Sequence, residues 1–506
     1  MTSKLTTYTN ENGGRVLLLF LLFSLALYQF VIAGFNAFAI VCLIPALVVA
    51  AIVIFRWRMS AFWLLIFINY FIQWKCFPNT GMPMSLPNEM LQLLLLAIAI
   101  LDIRQTPHFE RAANPMLFAL FIWCGFCTLE VLNDTCGLGI NIGVWYTGAR
   151  LLAFQLLYIF LVFTLYITSP EILIKYLKIW AFFSLFSAIW TWKQQNIGME
   201  PAELNFLYGA GRGTHIIQGG TLIRYFSTFS DAANYGCNAA ATAVAFLVFG
   251  MTSKQKKERI FFIVVSLLVL KSMFASGTRT AIFCFFAGIA VFVVLSKSFK
   301  VAIPAAIFGG LFFCFLAFTN IANGNQQIRR MRSAFKKGDA STKTRDINQE
   351  TMKKYMQDAP WGIGIGMGYK EVPANNKYNR MATIAPDSEY VYIWLRTGRI
   401  GITIYIISIL IMFGGACRIV FFKLRNPSLI GIGAGLCSAF VAIQLGAYGN
   451  QVLLQYPNGL TFYGGLTIVY ILPYLEPAWI EYENKRLAEQ EEKKRLKLEK
   501  KLASRV

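Results

Sequence analysis

The stretch EYVYIWLRTGRIGITIYIISILIMFGGA, residues 389–416, decides the fold class. It is almost entirely apolar, and it is long enough to cross a hydrocarbon core of about 30 Å as one helix. Runs of this kind recur from residue 15 to residue 474 in a chain of 506 residues that is 57% hydrophobic and only 14% charged. A water-soluble domain does not have this composition. The sequence therefore predicts an all-α, polytopic bundle of about 12–14 transmembrane helices.

Lysine and arginine give the chain a net charge of +22 and collect in the short loops between the apolar runs. These basic loops all fall on one side of the predicted spans, at residues 56–58, 104–111, 175–178, 254–259, 297–300 and 418–425. An excess of positive charge marks the cytoplasmic side of a membrane protein. Because no basic soluble domain is evident, we expect no nucleic-acid partner.

Four parts of the chain are predicted. An N-terminal transmembrane bundle, 1–319, includes an outer loop at 193–231. A large extracytoplasmic segment before the twelfth span, 320–387, is called the loop subdomain below. C-terminal transmembrane helices follow at 388–475, and a charged cytoplasmic tail at 476–506 either contacts anionic lipid or is simply solvated. Long loops on a tight bundle usually carry function.

Three polar motifs stand at predicted span ends on the outer face. They are RYFSTFSDAANYG at 224–236, SGTRT at 276–280 and DSEYVYIWLRTGRIG at 387–401. Arg279 lies in a tight outer turn, where a planar guanidinium suits bidentate binding of phosphate. The alternative is that Arg279 reaches lipid headgroups, and Arg224, which precedes two aromatic residues, is equally suited to anchor the chain at the interface.

Other outer residues were weighed for chemistry. The glycine run WGIGIGMGYK, 361–370, follows no strand, so it is not a dinucleotide fingerprint. It either lets the backbone approach a ligand or the membrane closely, or forms a flexible loop. His215 is the histidine of the outer loops, so a histidine-rich metal site is excluded. Cys76 and Cys136 lie on the same side, and a disulfide between them stays open.

Taken in order, the motifs resemble the O-antigen ligase and O-antigen polymerase family of bacterial membrane glycosyltransferases, over about residues 224–401. RYFSTFSDAANYG, with Arg224 and Asn234, is similar to the family's arginine motif entering a span. SGTRTA is similar to its arginine turn, and the segment from Arg345 to the paired glycines is similar to its loop helix. Ser388, Gly398 and Gly401 keep the spacing of the ligase signature. Asp387 departs from it, because ligases carry histidine there and polymerase-type relatives carry an acid.

This resemblance implies a GT-C-like enzyme of the bacterial inner membrane, with its active site facing the periplasm. The implied donor is a glycan on undecaprenyl diphosphate, and the implied acceptor is a hydroxyl of another glycan or of lipid A core. No cofactor and no metal are implied. Diphosphate binding falls to Arg224, Arg279 and Arg345. Catalysis falls to Asp387 with Glu389 in support, and Asn234, Ser388, Gly398 and Gly401 complete the motifs.

Alternatives remain for the two acids and for the function. Asp387 is suited to cap the helix that follows it. Glu389 is suited to interact with the helix dipole or to pair with Arg396, and Asp-x-Glu also resembles a divalent-metal pair. Arg345 is suited to be a solvated charge. Polymerisation and ligation both stay open, with Asp387 favouring polymerisation. The rival function is a flippase for lipid-linked oligosaccharides, which should carry charges in the middle of its spans.

Overall fold

This computed structural model of the chain describes residues 58–77, 85–101, 109–217, 222–321, 323–333, 340–384 and 386–503, with Gly220 and scattered positions before residue 57. Helix dominates these residues, and the described strands are one short antiparallel pair, β1 Ile216–Ile217 and β2 Leu222–Ile223. The predicted all-α bundle is therefore confirmed. The chain forms two compact units, Met1–Leu64 and Leu65–Val506. The described residues of the first unit are helical, and the candidate site lies in the second.

The described α-helices, numbered in chain order, are α1 Arg58–Phe71, α2 Ser85–Leu101, α3 Pro115–Leu129, α4 Ile142–Ala149, α5 Gln155–Tyr166, α6 Pro170–Asn196, α7 Pro201–Tyr208, α8 Arg212–His215, α9 Ala232–Thr252, α10 Lys256–Ala275, α11 Thr280–Leu295, α12 Phe299–Phe318, α13 Gln326–Arg332, α14 Ala340–Tyr355, α15 Asn379–Thr383, α16 Glu389–Arg418, α17 Pro427–Gly449 and α18 Gly464–Ala503. Wider π-helical turns occupy Arg150–Phe154, Ile419–Lys423 and Gly459–Tyr463. Tighter 3₁₀ turns occupy Phe109–Ala112, Glu130–Leu132 and Met356–Asp358.

Six helical segments of the described residues are long and apolar enough to cross a membrane. They are Pro115–Leu132, Ile142–Tyr166, Pro170–Asn196, Ala232–Thr252, Glu389–Lys423 and Pro427–Gly449. Shorter apolar helices are Arg58–Phe71, Ser85–Leu101, Thr280–Leu295 and Ala302–Phe318. The first two expected spans, at 15–34 and 37–55, lie mostly outside the described residues, so the full count of about 12–14 stays a prediction.

A polar residue followed by proline begins three of the six segments. These pairs are Asn114 with Pro115, Ser169 with Pro170, and Asn426 with Pro427. In each pair the polar side chain accepts a hydrogen bond from a backbone N–H of the first turn. Proline at the first helical position loses no hydrogen bond, because that N–H has no partner within the helix. The same short sequence signal therefore fixes where these helices start.

The charged loops and the long outer segments lie at opposite ends of the bundle. Lys254, between α9 and α10, pairs with Glu483 of α18 at 2.7 Å, and the backbone N–H of Arg425 donates to Glu476 at 2.8 Å. We call this the basic end. At the other end, called the loop end, Arg224 of the first outer loop contacts the turn between α10 and α11. The contacts at the basic end involve two of the six predicted basic loops, 254–259 and 418–425, and the placement of the others stays a prediction.

Small residues let the central helices α9, α11 and α17 approach one another closely. A Cβ atom on Gly446 of α17 would lie 3.1 Å from the Cβ of Cys237 in α9. One on Gly288 of α11 would lie 3.2 Å from the carbonyl oxygen of Ser438 in α17. Close backbone approach at small residues is typical of membrane helices, which gain packing contacts that lipid cannot supply. The three helices form the rigid centre that carries the loop end.

The loop subdomain has an apolar core of its own. Its members come from α14, the glycine run and α15, and they pack with one residue of α16 and one of the 133–141 segment: Met352, Met356, Ala359, Ile363, Met367, Val372, Tyr378, Met381, Leu395 and Cys136. Cys136 donates its thiol to the carbonyl oxygen of Ile363 at 3.3 Å, and both Cys76 and Cys136 are free thiols. The disulfide left open by the sequence is therefore absent from this fold.

The glycine run docks on α16 by direct backbone contact. Gly398 has φ +65° and interrupts the helix. The freed carbonyl groups of Leu395 and Arg396 accept hydrogen bonds from the N–H groups of Ile363 and Gly364, at 3.0 and 3.1 Å. A Cβ on Gly398 would overlap the carbonyl oxygen of Pro360. The close approach expected of these glycines is thus to the protein's own helix, and this finding replaces both the ligand and the flexible-loop interpretations.

Candidate functional site at the loop end

Two arginines from distant segments meet at the turn between α10 and α11. Arg224 donates through Nε to the carbonyl oxygen of Ser276 at 3.1 Å and through Nη2 to Thr278 Oγ1 at 3.0 Å. Arg330 of α13 donates through Nε to the carbonyl oxygen of Gly277 at 2.7 Å. Gly277 has φ +58°, and a Cβ there would lie 3.3 Å from atoms of both arginine side chains. The turn therefore needs glycine, and it holds the two cations side by side.

Arg279 adds a third cation in the same turn. It occupies the N-cap position of α11 and is half-buried. Positive charge concentrated at a helix N-terminus, where backbone N–H groups also point outward, favours a bound anion. Two of the predicted diphosphate-binding residues, Arg224 and Arg279, are thus brought together. The third, Arg345, lies in α14, but its side chain is outside the described residues.

A groove of about 940 Å³ lies between α6, α10 and α13 and leads toward the arginine turn. Leu185, Ile189 and Leu268 are among its apolar lining residues, and Lys271 lies in the same wall. At the turn the groove is lined by Tyr225, whose N–H donates to the carbonyl oxygen of Ala275 at 3.1 Å. Polar residues, among them Gln195 and Ser272, share the lining with the apolar ones, and Tyr225 and Ala275 place the groove next to the arginine turn in sequence.

Asp387 is held at this end by the loop that follows α17, residues 450–458. Gln451 Nε2 donates to the carbonyl oxygen of Pro386 at 2.6 Å. The preceding residue, Asn450, donates through Nδ2 to Thr280 Oγ1 at 3.1 Å. Because Thr280 follows Arg279 and Pro386 precedes Asp387, the 450–458 loop joins the predicted acid to the arginine turn.

The two predicted acids differ sharply in environment. Asp387 is exposed, whereas Glu389 is 4% exposed and accepts a hydrogen bond from the backbone N–H of Leu453 at 3.3 Å. Glu389 makes no ion pair with Arg396 among the described residues, because Nε and Nη1 of Arg396 have no hydrogen-bond partner there. This carboxylate holds the 450–458 loop against α16, whereas Asp387 faces solvent.

Ser388, and not Asp387, is the N-cap of α16. Its hydroxyl makes no capping bond and donates instead to the carbonyl oxygen of Ala447 at 3.2 Å. The capping alternative for Asp387 is therefore wrong. The cause is register: α16 begins at Glu389, one residue later than a cap at Asp387 requires.

Asn234 organises a chain of buried amides beneath the arginine turn. It is fully buried in the first turn of α9, accepts from Asn458 Nδ2 at 2.7 Å, and donates to the carbonyl oxygen of Tyr456 at 2.9 Å. Asn458 in turn accepts from Asn238 Nδ2 at 2.7 Å. Asn238 lies well inside α9, so the 450–458 loop dips back into the bundle. The amides satisfy backbone groups that lipid cannot.

His215 is a structural residue. Its Nε2 accepts from the N–H of Ala232 at 3.0 Å, so Nδ1 carries the proton and donates to the carbonyl oxygen of Gly211 at 3.0 Å. Burial is the main cause that lowers the pKa of His215 to about 4, and nearby Arg224 lowers it further. With both ring nitrogens engaged, His215 is no base for an outer reaction, which leaves a carboxylate in that role.

Residues 264–406 match the family model of the O-antigen ligase. The resemblance indicated by the motifs is therefore confirmed over this part of the chain. No curated protein matches the sequence. The matched region, residues 264–406, contains Arg279, Asp387 and the whole loop subdomain. Arg224 and Asn234 lie before it in sequence and join it through the contacts described above.

Two residues of the matched region have contacts that the sequence did not predict. Arg330 belongs to the basic run RRMR, residues 329–332, at the start of the loop subdomain, and the sequence motifs predict no role for it. Gly401, named for its spacing, packs its backbone against α3, because a Cβ there would lie 2.8 Å from the ring of Phe126. The run of arginines beside a long loop was the one signal for Arg330.

Proposed function

We propose that the protein is a membrane glycosyltransferase of the O-antigen ligase and polymerase type. It transfers a glycan from undecaprenyl diphosphate to a sugar hydroxyl, at the periplasmic face of a bacterial inner membrane. The observation that carries this proposal is the arginine turn. Arg224, Arg279 and Arg330 belong to or contact one turn next to a groove of mixed polarity, and the 450–458 loop contacts both Thr280, beside Arg279, and Pro386, beside the exposed Asp387.

The proposed reaction needs two kinds of help. The acceptor oxygen attacks the anomeric carbon of the donor, and the bond from that carbon to the diphosphate oxygen breaks. The diphosphate leaves with added negative charge, which fixed guanidinium groups stabilise. The acceptor hydroxyl loses its proton, and Asp387 accepts or orients that proton. Because diphosphate is a good leaving group, positioning by Asp387 matters more than its basicity.

We favour chain polymerisation over ligation to lipid A core as the reaction. The reason is Asp387, which stands where ligases of the family carry histidine. Glu389 is proposed as a positioning residue, since its carboxylate holds the 450–458 loop and faces away from solvent. Arg345 is retained as a further diphosphate contact, and Ser388, Gly398 and Gly401 as the residues that shape the entry of α16.

The test is complementation of a strain that lacks the gene, using Asp387→Ala and Arg279→Ala. Matched controls are Asp358→Ala, an exposed acid that pairs with Lys377 at 2.7 Å, and Arg329→Ala, an exposed arginine of α13. Gels report glycan chain length and glycan attached to lipid A core. Loss of long unattached chains in the two site variants supports polymerisation, and loss of attachment supports ligation. Wild-type gels from both site variants would refute the site.

A further inference from the structure

A second group of polar side chains lies buried below the loop end. Helix α2 carries Ser85, Asn88, Glu89 and Gln92 on one face, since residues three, four and seven apart align on a helix. Asn88, Glu89 and Gln92 are 1%, 4% and 0% exposed. The rest of α2 is largely apolar. Polar residues at this depth require partners that lipid cannot provide.

A π-helical turn brings two more polar residues to this face. Arg150 donates through Nη1 to Glu89 Oε2 at 3.0 Å and through Nη2 to Ser85 Oγ at 2.9 Å. The N–H of Gln155 donates to the carbonyl oxygen of Arg150, which closes the wide turn Arg150–Phe154. In such a turn residues five apart align, so Gln155 shares the direction of Arg150. Inserted turns of this kind are frequent at functional sites.

Tyr456 of the 450–458 loop completes the group. Its phenol lies beside Gln155 and Asn88, with Arg150 and Glu89 near enough to affect its charge, and burial raises the pKa of Tyr456 to about 12. We call Asn88, Glu89, Gln92, Arg150, Gln155 and Tyr456 the polar cluster. It draws on α2, the turn after α4, α5 and the loop that also contacts Pro386.

Many atoms of the polar cluster and its neighbour Asn69 lack partners within the described part of the chain. Buried, and without a hydrogen bond to any described residue, are Asn69 Oδ1, Gln92 Nε2, Gln92 Oε1, Arg150 Nε, Gln155 Nε2 and Tyr456 Oη. Native proteins leave few buried polar atoms unpaired. A concentration of them on four converging segments indicates a place where hydroxyl groups of a ligand or water complete the bonding.

We propose that the polar cluster is a subsite for the neutral, hydroxyl-rich sugar of a glycan substrate; the assignment rests on the proposed function. Amides and a phenol offer donors and acceptors together, as sugar hydroxyls require. The charges of Glu89 and Arg150 cancel, so the cluster does not select an anion as the arginine turn does. Asn234 connects the two places, because it donates to the carbonyl oxygen of Tyr456 at 2.9 Å. A lipid-linked sugar needs such neighbouring sites for its diphosphate and its hydroxyls.

The variants Gln92→Leu and Gln155→Leu remove hydrogen bonding at nearly constant volume, and Tyr456→Phe removes a single oxygen. Gln255→Leu, a buried glutamine at the basic end whose Oε1 is also unpaired among the described residues, is the matched control. Native mass spectrometry of the full chain in nanodiscs measures binding of two probes. One is undecaprenyl diphosphate without sugar, and the other is the same carrier bearing glycan extracted from the producing strain.

The three cluster variants should bind the sugar-free carrier as the wild type does. Their affinity for the glycan-bearing carrier should fall by about fivefold or more, the effect of losing one or two hydrogen bonds. If donor binding is unchanged and the KM for the acceptor glycan rises by that factor, the acceptor sugar is the occupant. Unchanged donor binding together with unchanged acceptor KM would overturn the proposal and leave a water-filled structural cluster. Equal losses in Gln255→Leu would also overturn it.

These results separate the subsite from the function on which it rests. If wild-type protein transfers glycan and Asp387→Ala does not, while the cluster variants behave normally, only the subsite fails. If wild-type protein binds neither carrier, or if Asp387→Ala and Arg279→Ala stay fully active, the proposed function fails. Tyr456→Phe keeps the test decisive if a leucine variant does not fold, because it removes one oxygen and keeps the packing of the ring.

Discussion

Replacing Gly398 with alanine should separate the loop subdomain from α16. The residue has φ +65° and ψ −166°, a backbone region that is essentially restricted to glycine and costs alanine about 1–3 kcal/mol. The new Cβ would also overlap the carbonyl oxygen of Pro360. Relief of that overlap moves the glycine run away and breaks three backbone hydrogen bonds, from Ile363, Gly364 and Ile400. At about 1 kcal/mol for each bond, the total destabilisation of the docked state is roughly 4 kcal/mol or more.

Gly414→Ala in the same helix is the matched control. Its Cβ would meet nothing within 4 Å and its φ is ordinary for a helix. Alanine there should raise stability by about 0.5–1 kcal/mol, because glycine is the weaker helix former. The two glycine-to-alanine changes are therefore expected to act in opposite directions, although both lie in α16.

The measurements are thermal unfolding in one detergent and limited proteolysis with chymotrypsin. Tyr378 is 7% exposed in the core of the loop subdomain, so cleavage after it reports undocking. Gly398→Ala should unfold at a lower temperature and be cut there faster than the wild type. If Gly398→Ala unfolds no earlier than Gly414→Ala and Tyr378 stays protected, the docking account is refuted.

Three further predictions concern the loop end. Arg330→Ala should lower the rate of glycan transfer by about tenfold or more, because it removes a charge-assisted contact with phosphate. Arg329→Ala is the control and should transfer glycan at nearly the wild-type rate. Equal rates in the two variants would contradict the role of Arg330. The wild type should lose up to about 3 kcal/mol of folding free energy as pH falls from about 6.5 to 4, because in that range only the unfolded histidine binds a proton. His215→Gln should not show this loss, and chemical denaturation at a series of pH values checks it. Glu389→Gln should keep most transfer activity, because an amide oxygen still accepts the hydrogen bond from the loop N–H. Asp387→Asn should lose transfer activity. If Glu389→Gln is inactive and Asp387→Asn is active, the roles of the two acids are exchanged.

The bundle and its two ends were predictable because their signals are local. Hydropathy reports a span from its own residues, and loop charge reports the side from a few lysines and arginines. The order of the outer motifs then predicted that Arg224, Arg279 and Asp387 would share one end. Their contacts with the α10–α11 turn and the 450–458 loop agree with that expectation.

Features set by distant residues were not predictable from the sequence. The exposure of Asp387 and the burial of Glu389 depend on Leu453, 64 residues beyond Glu389. The docking of the glycine run depends on the interruption of α16 at Gly398. Pairings of this kind leave no periodic trace, because backbone groups contact each other whatever side chains flank them. The spacing of glycines showed that backbone approached something, but not that the partner was α16.

The depth of the polar residues helps to distinguish a glycan transferase from a flippase. A flippase needs polar lining along the whole path of its cargo. In α2 the last polar residue, Gln92, lies roughly 10 Å below Ser85 at 1.5 Å per residue, and residues 93–101 are LLLLAIAIL. In α9 the amides end at Asn238, and residues 243–250 are AVAFLVFG. In these two helices the amide and charged side chains therefore stop partway from the loop end, as expected for a site that receives substrate from one face and returns product to it, which supports the proposed transferase.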